Sequence, residues 1–281
     1  MNRFLKLVNF ELNRFSKIYI GLIILVSLLQ LGGVWYVFHQ DLGKVKNSLQ
    51  NGSMSLVDYV KNNGPIDFQT VALSTYFLFP ILLAVATLLI YVFLIWYRDW
   101  FGKNLFSYRL FMLPSNRISI YLAKATTILL LVFGMIALQM LLLPLEGFIY
   151  HSILPNELQV PVSILDINSI NSRNAFLSLL IPKDFIQFLL SYGLGFISLL
   201  VIFTGILLER SFRWKGIILG IIYFVFAITL FICPIYINGS VVPSGYFYPS
   251  ELLIIEIIIC LLIGALSIWI SKWLLNKKVG V

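Results

Sequence analysis

The chain has 281 residues, of which 60% are hydrophobic, 15% aromatic and 11% charged, and its formal charge is +8. Soluble domains carry about 25% charged residues, so this composition excludes water as the main solvent. The positive charge comes without zinc-ligand spacing, an RNA-binding aromatic motif or a dense arginine-lysine stripe, which argues against nucleic acid as a partner. Two cysteines, Cys233 and Cys260, fall inside apolar blocks and read as small apolar residues.

Residues 1–17 predict an amphipathic entry helix lying in the membrane surface. Phe4, Leu5, Leu7, Val8, Leu12 and Phe15 gather on one face, and Arg3, Lys6, Asn13, Arg14 and Lys17 on the other. Glu11 breaks the pattern by pointing toward the apolar face. A carboxylate there either reaches water at the helix end or pairs with a basic residue of a loop on the same side.

Crossing the hydrocarbon core takes about 20 mostly apolar residues. Six segments qualify, at 18–38, 71–97, 118–148, 184–208, 216–237 and 251–273. The first follows a basic start, like a signal peptide, but it is too long for a signal core and lacks an A-x-A-like site, so a retained helix is expected. The predicted fold class is an all-α membrane protein, one transmembrane domain over 1–281.

Lysine and arginine resist translocation, and their distribution sets the orientation. Only Lys44, Lys46, Lys61, Arg173 and Lys183 of the 20 basic residues fall on one side of the six spans. Both termini are therefore expected in the cytoplasm. The acids Asp41, Asp58, Asp67, Glu146, Glu157, Asp166, Asp184 and Glu251 are expected outside or at that interface. The long outside connection is 151–183.

The inside loop 98–117 is unusually aromatic. Trp100, Phe101, Leu105, Phe106, Tyr108, Phe111 and Met112 would expose a large apolar surface in a solvated connection. A short helix over 103–112, ended near Pro114, presents that face either to a groove on a cytoplasmic protein or to lipid and its own bundle. Ser115 or Asn116 then caps the next helix.

At the end of this loop stand Leu113, Pro114, Ser115, Arg117, Ile120, Tyr121 and Lys124. This passage resembles the "L-P-x-S-R-x-x-x-Y-x-x-K"-like entry to the third span in the membrane subunit of a type-2 ATP-binding-cassette (ABC) transporter, with one displacement around Asn116. That class includes many bacterial drug and peptide exporters. The basic start with Glu11-Leu12-Asn13-Arg14 looks like the family's entry helix, and six spans with both ends inside is its layout. Two features depart from it. Asp99 stands where a glutamate is usual, and 238–250 is short where many relatives carry re-entrant helices.

The resemblance implies a permease subunit in the bacterial cytoplasmic membrane that exports a peptide, toxin or amphipathic drug. It implies no catalytic residue and no cofactor on this chain, with ATP and magnesium on two partner ATPases, and a second copy or a related permease beside it. Consistently, no G-x-x-x-x-G-K-[ST] phosphate loop occurs. ATPase coupling would then fall to Asp99, Trp100, Phe101, Leu105, Phe106, Tyr108, Arg109, Phe111, Met112, Pro114 and Arg117. From another class, a membrane-anchored sensory or interaction protein could use the same loop to hold a non-ATPase partner.

Within the spans, Glu256 is the strongest polar candidate for a substrate pathway and Gln139 a weaker one, with an interhelical hydrogen bond as its alternative. Pro80, Pro144 and Pro234 mark hinges or static kinks. Gly216 and Gly220 form a G-x-x-x-G pair and Ser191 and Gly195 a weaker one, both expected at helix contacts. His39 and His151 lie at outer span ends and read as interfacial.

Overall fold

A computed structural model describes residues 3–52, 55–101, 116–160, 175–241 and 247–278. Among them the chain is helical, with no strand. The helices in chain order are α1 (Arg3–Gly52), α2 (Leu56–Asn63), α3 (Phe68–Ala72), α4 (Thr75–Phe101), α5 (Arg117–Ile153), α6 (Ala175–Leu180), α7 (Phe185–Phe212), α8 (Trp214–Tyr236) and α9 (Pro249–Lys277). A single turn of 3₁₀ helix, Asn156–Leu158, follows α5, and a π turn, Ile237–Val241, follows α8.

Six of these, α1, α4, α5, α7, α8 and α9, are long and apolar enough to cross a membrane. Their outward faces are apolar too. Leu28, Leu141, Phe185, Leu261 and Trp269 are each more than 60% exposed. Such surface fits acyl chains and not water. Most helices overrun the expected spans. The 50 residues of α1 measure about 75 Å at 1.5 Å per residue, more than twice the hydrocarbon thickness. Residues 3–17, expected as a separate entry helix, are its first turns, with Val8, Glu11 and Phe15 forming the buried stripe.

The chain divides into two compact units. The first comprises Met1–Leu12, Ile90–Leu129 and Leu189–Val281. Within it α7 and α8 meet backbone to backbone. A Cβ on Gly216 would stand 2.0 Å from the Leu208 carbonyl oxygen, and one on Gly220 would stand 3.3 Å from that of Gly205. Hydroxyls stitch α9 to both neighbours. Thr204 lies 3.0 Å from Ser271, and Tyr223 lies 2.6 Å from Ser267. Val201, Ala227 and Ile263 close the apolar core between them.

The second unit comprises Asn13–Leu89 and Leu130–Phe188. Its core packs Phe38, Phe68, Tyr150, Leu154, Leu158, Leu177 and Ile181 together. The Tyr150 ring stands 5.3 Å from Phe38 and 6.2 Å from Phe68. Its hydroxyl donates to the Ile66 carbonyl at 2.8 Å and accepts from the Val160 amide at 2.8 Å. The Ile66 amide donates in turn to the Leu158 carbonyl at 2.8 Å. The described parts of 151–183 are therefore packed against 39–72 and do not form an open connection. Helix α2 starts in a reciprocal cap between Ser55 and Asp58. The Ser55 hydroxyl and amide, both donating to the Asp58 carboxylate, hold its pKa below the ordinary value. That contribution is present above the usual aspartate range and is lost as pH falls through the lowered value.

Gly216→Ala forces a methyl into the Leu208 carbonyl and is expected to lower stability by about 1–3 kcal/mol. Gly205→Ala meets open space and should leave stability unchanged or raise it slightly. Thermal unfolding of the two variants in detergent checks this. Equal losses from both would refute the packing argument.

Candidate functional site

Burying the Lys124 ammonium organises one end of the first unit. Lys124 lies two turns into α5 and is 1% exposed. An ammonium has three N–H donors and no acceptor. All three are used, on Glu11 Oε1 of α1 at 2.8 Å, Asp99 Oδ2 of α4 at 2.6 Å and the Ile95 carbonyl of α4 at 2.8 Å. Glu11 Oε2 accepts a further bond from Arg98 Nη2 at 2.8 Å. Among the described residues, two acids and two bases thus share one network, of which only Arg98 is partly exposed.

Aromatic rings wall this network. The Trp96 ring lies 5.2 Å from the Lys124 ammonium, and the Tyr91 ring 5.8 Å from the Arg98 guanidinium. Trp96 meets Phe203 edge-on at 5.5 Å, Tyr121 at 6.3 Å and Trp100 at 5.5 Å. Rings of this kind exclude water, which strengthens the electrostatic attraction inside.

Arg117, Tyr121 and Lys124 share one face of α5, as residues four and then three apart must. Each ties α5 to a different neighbour. Arg117 Nη1 donates to the Leu275 carbonyl near the end of α9 at 2.6 Å, where the helix dipole favours a cation. The Tyr121 hydroxyl donates to the Leu200 carbonyl of α7 at 2.9 Å. Lys124 joins α1 and α4. The R-x-x-x-Y-x-x-K spacing is thus a set of three fasteners.

Of the residues expected to couple to a partner, the structure places Asp99 and Trp100 as buried groups at the end of α4 and Arg117 at the start of α5. Phe101 ends α4. Leu105, Phe106, Tyr108, Arg109, Phe111, Met112 and Pro114 lie outside the described residues. Arg14 is half-buried one turn along α1 from Glu11. In the sequence Arg98 does not stand out as a site residue, and Lys124 does so only as part of a motif. The signal was Glu11, a carboxylate on an apolar face for which a basic partner was one of two alternatives.

The second unit holds another polar group in its spans. Gln30 and Gln139 exchange two amide hydrogen bonds of 3.0 and 2.9 Å, so Gln139 takes the interhelical alternative. Glu146 lies two turns beyond Gln139 on α5. It is fully buried, because α5 continues to Ile153 and its last turns pack into the second unit's core. Neither carboxyl oxygen has a partner at bonding distance, and Gln30 is its polar neighbour. Glu256 is half-buried on α9, and no hydrogen bond or ion pair holds it among the described residues. It is not part of the apolar cleft of about 460 Å³ that Phe226, Cys233, Pro234, Leu252, Ile255 and Ile259 help to line.

No protein-family model, curated protein sequence or solved structure matches this chain. The functional reading therefore rests on the network and on the sequence.

Removing one partner of a buried ion pair typically costs about 3–5 kcal/mol. Lys124→Met is expected to destabilise by that order, and Lys124→Met with Asp99→Asn to recover part of the loss. Glu146→Gln, which removes an unpartnered carboxylate, should leave the melting temperature unchanged or raise it. Thermal unfolding of the purified variants in detergent measures all three. A Lys124→Met protein as stable as the parent would refute the network's role.

Proposed function

We propose that this chain is the membrane subunit of an ATP-driven exporter of the type-2 ABC class, working with a separate ATPase. The observation that carries the reading is the buried network of Glu11, Arg98, Asp99 and Lys124. It fastens the end of α4 to α5 seven residues into that helix, and both to α1. Segment 102–115 connects α4 and α5, so both its flanks belong to one braced cluster.

A loop whose two flanks are fastened together can act as a lever. Force applied to an aromatic surface on 102–115 is transmitted to α4 and α5 together, because rotating one without the other breaks charge-assisted bonds in a water-poor setting. The absence of a phosphate-loop motif from the sequence fits a division of labour in which ATP and magnesium are held by the partner. Six apolar helices supply the membrane part. The expected cargo is a peptide, toxin or amphipathic drug, and the expected assembly has two ATPases and two membrane subunits in the bacterial cytoplasmic membrane.

The reading predicts that the chain copurifies with an ATPase carrying a phosphate loop. Phe106→Asp and Phe111→Asp should insert normally and abolish stimulation of that ATPase by the membrane subunit, at least tenfold below the parent. Normal stimulation in both variants, or failure to find any ATPase partner by crosslinking in the native membrane, would sink it.

A further inference from the structure

The first unit carries a cleft of about 500 Å³ where α7 turns into α8, lined by Tyr97, Trp100, Glu209, Arg210, Arg213 and Trp214 among others. Its chemistry is cationic and aromatic. Arg210 and Arg213 are both exposed, the Arg210 guanidinium lies 5.3 Å from the Trp100 ring, and exposed Lys215 follows in the chain. The single acid, Glu209, accepts a hydrogen bond from the Tyr97 hydroxyl. Trp214 is 83% exposed, a placement that suits a bilayer interface.

Two observations show that this is more than a basic turn. Arg213 is the one non-glycine residue with positive φ among those described, at 52°, a strained conformation that glycine would adopt freely. This residue also lines the cleft, so the strained turn lies at its rim. Moreover, the cleft opens into a second, apolar furrow of about 350 Å³, with which it shares Tyr97, Ile206, Glu209 and Ile217. That furrow continues along α7 and α8 past Gly205, Gly220, Ile221 and Phe224. A Cβ on Gly205 would meet nothing within 4 Å, as expected for the floor of an open groove.

A charged mouth continuous with an apolar trough matches one kind of molecule, an amphiphile with an anionic head and an acyl chain. We propose that this cleft and furrow bind a single anionic phospholipid of the inner leaflet, its phosphate between Arg210 and Arg213 and one chain along the floor at Gly205. The site lies at the end of the spans that the lysine and arginine distribution assigns to the cytoplasm, where anionic head groups and basic pockets meet. It depends on the membrane spans and not on the exporter reading.

Native mass spectrometry of the purified full chain, titrated with phosphatidylglycerol and with phosphatidylcholine, tests the proposal. The parent should retain phosphatidylglycerol about tenfold more strongly than phosphatidylcholine. Arg210→Gln with Arg213→Gln should bring the two lipids within about twofold, whereas Lys272→Gln with Lys277→Gln, which removes the same charge from exposed positions on α9, should keep the preference. Gly205→Phe should lower retention of both lipids about tenfold by filling the trough, and its circular dichroism should match the parent. No preference in the parent, equal loss in the two double variants, or unchanged retention in a folded Gly205→Phe protein would each overturn the proposal. Competition by free glycerol phosphate at equal concentration would overturn the lipid assignment in favour of a soluble phosphate.

Discussion

A lysine ammonium removed from water must find three acceptors, and meeting that demand at Lys124 shapes the first unit. The acceptors come from α1 and α4, so three helices are held at one point by bonds that cannot be exchanged for water. Apolar contacts between helices in lipid are weakly directional, since acyl chains are as apolar as leucine. A saturated ammonium supplies the direction. It sets the rotation of α5, and that rotation places Tyr121 against Leu200 and Arg117 against Leu275.

The acids differ in how their environments are resolved. Glu11 and Asp99 are buried with basic partners, Glu209 accepts a hydrogen bond from the Tyr97 hydroxyl, and Glu146 is buried with no partner at bonding distance. Paired groups brace, and an unpaired one is an expense that the surrounding fold must offset. The two units thus use buried polarity differently. The first joins acids and bases in an ion-pair network, and the second sets a single carboxylate beside an amide pair.

Most of the architecture was legible because lipid imposes long apolar runs. The six spans stand out in composition alone, and the helix axes follow from them. The anomaly at Glu11 was readable too, since a carboxylate among Val8, Leu12 and Phe15 must either reach water or meet a cation, and the structure shows the second. What could not be read was which cation, because Arg98 and Lys124 lie 87 and 113 residues away and any basic residue on that side would have served. The packed cap of the second unit was missed for a related reason. Its buried residues, Phe68, Leu158 and Leu177, come from short elements whose periodicity is too brief to register, and Tyr150 joins them through hydrogen bonds to backbone groups that carry no sequence signature.

The separation between Glu11 and its bases also has a meaning in time. The acid leaves the ribosome first, and Lys124 follows 113 residues later, on the order of ten seconds at ordinary elongation rates. Throughout that interval the carboxylate has no Lys124 ammonium to pair with. Closure of the network therefore cannot precede delivery of the third span. The pairing is satisfied only once α1, α4 and α5 have all been made, so the last-made partner completes it.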